Sequence, residues 1–200
     1  MSSMTRKVLL AIAVFVIALI GAIPVRSATV LPMYLDELID RSAVAFEGTC
    51  TGNRTERDPA TGLVVTYTTF EVRDGLKGAV GSTHEIKQIG GTLPDEGVQF
   101  SVKGIPSFEV GEDYVVFLAG VSTAGFSSPM GLSQGRFGVR AEGALRRVGN
   151  GRDFRDMAAR MLTRVPERAR IRLQQSEAPI RDLELGEFKE AVRAHLGGGK

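Results

Sequence analysis

Alternation of apolar and polar residues dominates the middle of the chain and predicts a series of short β-strands. The run AVAFEGTC alternates in this way and predicts a strand over residues 43–51. A longer run, LVVTYTTFEVRDGLKG, is rich in β-branched and aromatic residues and predicts a second strand, with Phe70 and Val72 facing inward. The sequence between them, TGNRTERDPATG, is polar and rich in turn residues, so we expect a loop there.

Further strands follow at nearly regular spacing. HEIKQIGG places Ile86 between polar neighbours and ends on a double glycine, which indicates a bulge or a sharp bend. VQFSVKG alternates again, whereas YVVFLAG is apolar throughout and is expected to be buried on both faces. GLSQGRFGV and ALRRV flank the turn signal RAEG and predict a final hairpin. Short strands with regular turn signals are typical of a β-barrel or a β-sandwich.

Apolar residues recur at helical spacing on both sides of this β region. Leu35 and Leu38 belong to a short amphipathic helix that leads into the first strand. From Arg152 onward the period is again helical, and the apolar stripe stops before Pro166. A basic stretch, PERARIRLQQ, and a last helix from about Asp182 complete the chain. The pattern therefore predicts a mainly β fold with added helices.

The N-terminal residues have the composition of a secretory signal peptide. Arg6 and Lys7 precede the apolar run VLLAIAVFVIALI, and small residues follow Pro24. We expect cleavage after Ser27, which would place the protein in the periplasm or outside the cell. The alternative is an uncleaved N-terminal anchor, because the apolar run extended through Val25 approaches the ~20 residues that span a bilayer.

The sequence predicts three segments: the signal peptide (1–27), a β-barrel domain (28–150) and a C-terminal helical extension (151–200). The balance of basic and acidic residues changes along them. Cleavage removes three of the 25 basic residues, so 22 remain against 23 acidic ones and a nucleic-acid ligand is not expected. Residues 28–139 carry 8 basic and 14 acidic side chains, whereas 140–200 carry 14 and 9. We expect the basic end to pack on the acidic domain; the alternative is a basic helical arm that binds an anionic partner or anionic lipid.

Cys50 is the only cysteine, so the chain cannot form an internal disulfide. The alternation places Cys50 on the same face as Val44 and Phe46, which predicts a buried thiol that packs as a small apolar group. The alternatives are an intermolecular disulfide or incidental exposure. No neighbouring histidine or second cysteine indicates a nucleophile.

No complete catalytic or metal-binding signature is found in the sequence. His84 is followed by Glu85, but no second histidine stands four residues on, and His195 lies in the predicted last helix. Ser133 lies in GLSQG, which has the G-x-S-x-G spacing, but this segment leads into a predicted strand and not from a strand into a helix, as a nucleophile elbow does. The other glycine clusters likewise do not join a strand to a helix as a phosphate-binding loop does. The loop NRTERDP lacks the spacing of a calcium loop. We therefore expect no enzymatic activity, no metal and no cofactor.

The best candidates for a binding surface lie in two loop segments, KGIPSF and GLSQGRF. They place Lys103, Phe108, Gln134 and Arg136 on or near loops, where binding residues are often found. These four residues form a candidate binding rim. The alternative is structural, with Phe108 and Phe137 closing the ends of a barrel.

The order of DELIDRSAVAFEGT, TYTTFEVRDGLKG, VKGIPSFEVGEDYVVFL and GLSQGRF resembles a group of exported bacterial proteins of unknown function. Residues 34–139 also resemble the OB-fold domain of netrins and tissue inhibitors of metalloproteinases, in which a long strand ends in a turn such as Lys77–Gly78. This resemblance implies a small, partly open, OB-like β-barrel, flanked here by a short N-terminal helix and a C-terminal helical segment. Those inhibitors use an N-terminal cysteine, whereas the expected mature chain starts at Ala28, so no inhibitory residue carries over.

These observations together predict an exported, non-catalytic binding or protein-interaction module. Its partner would be a protein or a small extracytoplasmic ligand. The alternative, which depends on the resemblance, is a regulator, inhibitor or escort of a secreted protease that inserts the rim from Lys103 to Phe108 into its partner.

Overall fold

The computed structural model describes residues 31–198. Within this range the chain forms nine strands: β1 (Val44–Arg57), β2 (Val64–Lys77), β3 (Thr83–Ile89), β4 (Gly91–Leu93), β5 (Val98–Phe100), β6 (Asp113–Leu118), β7 (Arg136–Glu142), β8 (Leu145–Gly149) and β9 (Leu183–Glu184). The α-helices of the same range are α1 (Leu35–Arg41), α2 (Phe154–Met157), α3 (Glu167–Gln175) and α4 (Leu185–Gly197). Short 3-10 helices occur at Pro94–Glu96, Leu132–Gly135 and Ala159–Arg164. The prediction of a mainly β fold with added helices is confirmed.

Seven of these strands form one antiparallel sheet in the order β3-β2-β1-β6-β7-β8-β9, and β4 and β5 form a separate two-stranded ribbon. The sheet is open, because β3 and β9 lie at opposite edges and do not pair. The loop after β6 nevertheless contacts the β3 edge, where the Ser127 N–H donates to the Lys87 carbonyl at 3.0 Å. The sheet is therefore not closed into a barrel.

Strand β1 is longer than its hydrophobic pattern predicts, so the expected loop was wrong for residues 51–57, whereas residues 58–63 do form the turn to β2. The polar half of β1 pairs with β2, with Asn53 opposite Thr68 and Thr55 opposite Thr66. Side chains reinforce this ladder, since Thr68 Oγ1 donates to Asn53 Oδ1 at 2.7 Å and the Thr55 and Thr66 hydroxyls lie 3.1 Å apart. Cross-strand hydrogen bonds therefore replace apolar contacts in this part of the hairpin.

The two faces of the sheet are covered differently. One face packs against the helices, and the core between them contains Phe117 and Phe137 of the sheet and Phe154 and Phe188 of the helices. The other face holds a smaller cluster of Phe46, Cys50, Phe70, Ile86, Phe108, Tyr114, Val116 and Leu118. Strand β6 contributes alternate residues to both clusters, which confirms that it is buried on both faces.

Cys50 lies in the smaller cluster, where it is fully buried and free. This confirms the prediction that it packs as a small apolar side chain. Burial raises the pKa of the thiol, so the thiolate that would act as a nucleophile is disfavoured.

The C-terminal segment packs on the sheet, as the charge distribution predicts. Strand β9 pairs with β8, and Phe188 and Val192 of α4 are fully buried in the larger core. Basic side chains of this segment pair with acidic ones of β1, β2 and α1: Lys189 with Glu47 at 2.6 Å, Arg193 with Asp74 at 2.7 Å and Arg160 with Glu37 at 2.8 Å. Residues 151–198 are therefore part of one packed structure and not a free arm.

The predicted signal peptide and its cleavage site lie outside the described residues. Within 31–198, no helix combines the length and the apolar character needed to cross a bilayer. Export and the alternative of an N-terminal anchor remain sequence-based predictions.

Candidate binding cleft

A cleft of about 360 Å³ opens between the β2–β3 hairpin, the β4–β5 ribbon and the segment 101–109. This volume lies within the range of pockets for small molecules. The segment 101–109 contains the sequence KGIPSF, and its residues Ile105, Pro106, Ser107 and Phe108 form one wall. Part of the loop selected from the sequence thus lines a cavity.

The floor of the cleft is polar and is built from neighbouring strands. Thr66 of β2 lies directly opposite Gln88 of β3, and Thr68 follows on the same face of β2. Asn53 of β1 completes this surface, because its Oδ1 accepts from Thr68 and its Nδ2 donates to the Phe108 carbonyl at 2.7 Å. Asn53 therefore connects the floor to the wall.

Gln88 is the most unusual residue of the floor. Its side chain is 4% exposed, and within residues 31–198 its Nε2 has no hydrogen-bond partner. A buried amide donor without a partner costs about 1–3 kcal/mol, so native structures rarely retain one. A ligand in the cleft that presents an acceptor oxygen would satisfy this donor.

The double glycine at the end of β3 shapes the entrance. Gly90 and Gly91 have φ values of 105° and 147°, and the chain leaves the large sheet between them to begin β4, which confirms the predicted bend. A Cβ on Gly91 would lie 2.4 Å from Thr55 Cγ2 and 2.6 Å from Thr66 Oγ1. Glycine at this position therefore allows the ribbon to approach the floor closely.

Two phenylalanines line the cleft in different ways. Phe108 is buried and packs edge-on against Phe70 and Tyr114, with ring centroids 4.9 and 5.0 Å apart. Phe100, on the ribbon, remains 37% exposed. Phe108 therefore supports the wall from within the core, whereas Phe100 offers an apolar surface to a ligand.

The four residues of the predicted rim are not brought together as one surface. Lys103 is exposed outside the cleft lining, while Arg136 lies over the Tyr114 ring at 4.7 Å and over Phe108 at 5.6 Å. Gln134 holds the N-terminal segment, because its Oε1 accepts from the Met33 N–H at 2.8 Å. Of the four predicted rim residues, Phe108 alone lines the cleft.

Phe137, which the structural alternative placed with Phe108 at the ends of a barrel, is buried in the larger core on the helical face of the sheet. Both phenylalanines thus pack inside the protein, but on opposite faces of the sheet.

Neither His84 nor His195 lines the cleft. His84 packs on Phe46 with ring centroids 5.2 Å apart, and burial lowers its pKa. His195 lies between Arg164 Nη1, 2.6 Å from its Nδ1, and Asp40 Oδ1, 2.7 Å from its Nε2. In the part of the chain that the structure describes, no group of three or more His, Cys, Asp and Glu side chains could hold a metal ion.

The acidic side chains of the segment NRTERDP are bound to neighbouring protein groups. Asp58 accepts from Lys87 Nζ at 2.8 Å and from the Thr61 hydroxyl at 2.6 Å, and Glu56 pairs with Arg54. Lys87 connects this turn to the loop after β6, since it also donates to the Ala124 carbonyl at 2.9 Å. The buried ion pair of Asp58 and Lys87 therefore fixes β3 beside the cleft.

Sequence reasoning missed Gln88 and Asn53. The signal for Gln88 was present, because HEIKQI places it two residues after the buried Ile86, on an inward-facing position where a polar side chain is unusual. The role of Asn53 depends on the register with Thr68 and on a wall 55 residues later in the chain, and no local pattern shows either.

In comparisons with protein-family models and with curated proteins, nothing matches this chain. Arguments about its function therefore depend on the cleft and on the surrounding surface.

Proposed function

We propose that the protein is an exported, non-catalytic binding module whose cleft takes a small, uncharged polar ligand. The observation that carries this proposal is the buried Nε2 of Gln88, a donor that has no partner among the described residues. Export is supported by the signal-peptide pattern at the N-terminus.

The charge of the lining favours an uncharged ligand. Among the described residues that line the cleft, Glu109 is the single ionisable one, and it is exposed at the margin. A site for an anion would place arginine, lysine or a cluster of N–H donors against it. The amides of Asn53, Gln88 and Gln99, together with nearby hydroxyl groups, are instead suited to carbonyl and hydroxyl oxygens.

The same lining gives little support to covalent or acid–base catalysis. Hydroxyl groups of Ser101 and Ser107 lie along the wall, but the lining includes no histidine or lysine to activate them. Binding without chemical conversion is therefore the activity that this set of side chains favours.

A direct test uses ¹⁵N-labelled protein and neutral probes at millimolar concentration: glucose, N-acetylglucosamine and N-acetylglycine N-methylamide. We expect at least one probe to shift the side-chain amide resonances of Gln88, together with backbone resonances of Gly91 and Ser107. The two sugars and the amide distinguish a saccharide ligand from a peptide-like one.

The matched variants are Gln88→Leu and Gln174→Leu, which make the same change at the cleft floor and on the exposed surface of α3. We expect Gln88→Leu to abolish the backbone shifts of Gly91 and Ser107 and Gln174→Leu to retain them. Absence of shifts with all three probes, or shifts that survive in Gln88→Leu, would contradict the proposal.

A further inference from the structure

A second concave surface lies on the β7–β8 side of the sheet, several strands away from the cleft. It has a volume of about 400 Å³ and contains four arginines, Arg140 of β7, Arg147 of β8, Arg172 of α3 and Arg181 of the segment that leads to β9. We refer to this surface as the arginine basin. Its walls are brought together by the packing of the C-terminal segment on the sheet.

Two arginines of the basin are cross-strand neighbours. Arg140 and Arg147 are directly opposite each other in the β7–β8 ladder. Like charges in this position destabilise a sheet. Arg172 and Arg181 add two more positive charges from the helical side.

Carboxylates compensate only part of this charge. Arg140 pairs with Asp182 at 2.6 Å, and Arg147 pairs with Glu142 at 3.0 Å. Within residues 31–198, neither Arg172 nor Arg181 has a carboxylate within ion-pair distance. Four guanidinium groups against two carboxylates leave the basin with two uncompensated positive charges.

Arg172 is also incompletely hydrogen-bonded. Its Nη2 donates to the Asp182 carbonyl at a long 3.4 Å, and its buried Nε has no partner among the described residues. A guanidinium group presents pairs of N–H donors that match the oxygen atoms of a phosphate group. A small rotation of this side chain would therefore allow an oxyanion to satisfy it.

We propose that the arginine basin binds a phosphate-class oxyanion, with Arg172 and Arg181 as the principal donors. The bound anion would neutralise the two positive charges that Glu142 and Asp182 leave uncompensated. The same chemistry could be presented by a soluble phosphorylated molecule or by the phosphate of a lipid headgroup. This site is independent of the cleft, since it uses different strands, different side chains and a ligand of different charge.

The test measures binding of inorganic phosphate to the full protein by titration calorimetry, at constant ionic strength maintained with chloride. We expect Arg181→Gln to weaken phosphate binding by about tenfold or more, the loss typical of one hydrogen bond to a charged group. The matched control is Arg168→Gln, which removes an exposed arginine from the same helix as Arg172 and should leave the affinity unchanged. Because chloride keeps the ionic strength constant throughout the titration, a change in general charge screening cannot produce the heat signal.

A second arm identifies the source of the phosphate group, with sedimentation of the protein with vesicles of phosphatidylcholine alone or mixed with phosphatidylglycerol. Phosphate binding without vesicle binding indicates a soluble ligand, and selective binding to the mixed vesicles that Arg181→Gln abolishes indicates a headgroup. Either result supports the site. Failure of both arms, or equal losses in Arg181→Gln and Arg168→Gln, would overturn the proposal.

Discussion

The ion pair of Glu47 and Lys189 joins the first strand of the sheet to the C-terminal helix. The Glu47 carboxylate is 2% exposed and accepts a hydrogen bond from Lys189 Nζ at 2.6 Å and another from Arg146 Nη1 at 2.5 Å. Burial lowers the pKa of Lys189, but its hydrogen bonds to Asp74 and Glu47 outweigh this effect and raise the pKa above its ordinary value. Lys189 therefore stays charged and connects α4 to both β1 and β2.

Removing the Lys189 charge should destabilise the fold. In Lys189→Met the apolar stem can be kept, but the buried Glu47 retains Arg146 as its single cationic partner. We expect the free energy of unfolding to fall by about 3 kcal/mol, the cost typical of breaking a buried ion pair from one side. Urea denaturation of the two proteins measures this difference.

The control for this variant is Lys103→Met, which makes the same change at an exposed position. We expect Lys103→Met to change the free energy of unfolding by less than about 0.5 kcal/mol, as is usual for surface substitutions. Equal effects of the two substitutions would show that the Glu47–Lys189 contact contributes nothing specific.

Gln88→Leu should stabilise the protein without ligand while removing its binding. Leucine has a similar volume and leaves no buried donor without a partner, so we expect the free energy of unfolding to rise by about 1 kcal/mol. Gains of this kind are common where a functional residue is kept at the expense of stability. Thermal and urea denaturation would measure the gain, and a loss of stability in Gln88→Leu would indicate that the Gln88 amide has a structural partner.

Phe108 and Phe100 should respond differently to truncation. Phe108→Ala removes a buried ring that contacts Phe70 and Tyr114, and we expect it to lower the free energy of unfolding by about 3 kcal/mol or more. Phe100→Ala, at an exposed ring, should cost less than about 1 kcal/mol. The probe that binds in the cleft should nevertheless bind more weakly to Phe100→Ala, which NMR titration would show.

These two variants separate support of the cleft from contact with its ligand. If Phe100→Ala is as destabilising as Phe108→Ala, the ribbon belongs to the core and does not offer a free aromatic surface. If Phe100→Ala leaves both stability and probe affinity unchanged, the ligand does not contact the ribbon.

The fold was largely predictable because its main elements follow local patterns. The alternation around Phe70 and the continuous apolar run of β6 depend on which sheet face each residue occupies, and both were read correctly from the sequence. The packing of the basic C-terminal segment followed from its charge. The extension of β1 to Arg57 was missed because its contacts are hydrogen bonds between polar side chains, which leave no hydrophobic pattern.

The site was less predictable because it is assembled across distant segments. The segment KGIPSF was predicted to be part of a binding rim, and its residues 105–108 line a cleft, whereas Arg136 and Gln134 support neighbouring structure. The arginine basin depends on the cross-strand register of Arg140 and Arg147 and on the packing of α3. The register follows from the short turn at Gly143 once the hairpin is recognised, but the packing of α3 against it cannot be derived from spacing along the chain.

The stability of the protein should fall in acid, and the buried pair of Asp58 and Lys87 should account for part of the loss. The hydrogen bond from Lys87, followed by those from Thr61, holds the pKa of Asp58 below its ordinary value. The folded state therefore binds this proton more weakly than the unfolded state does. The stabilising contribution is complete above the unfolded pKa, near ~4, and is lost as the pH falls through the lower folded pKa.

The pKa of Asp74 is also below its ordinary value. Burial, the largest single influence, raises it, but hydrogen bonds from Lys189 and Arg193 together outweigh burial. Asp74 therefore also contributes stability that is lost in acid.

Urea denaturation between neutral pH and pH ~3 would measure the acid dependence. We expect Asp58→Asn to be less stable at neutral pH and to lose less stability on acidification than the unchanged protein. Lys87→Met should flatten the same part of the profile, and the double variant should add little to either single one, because both substitutions remove one interaction. An Asp58→Asn profile that keeps the full acid slope would assign the acid sensitivity to other carboxylates, with Asp74 the next to substitute.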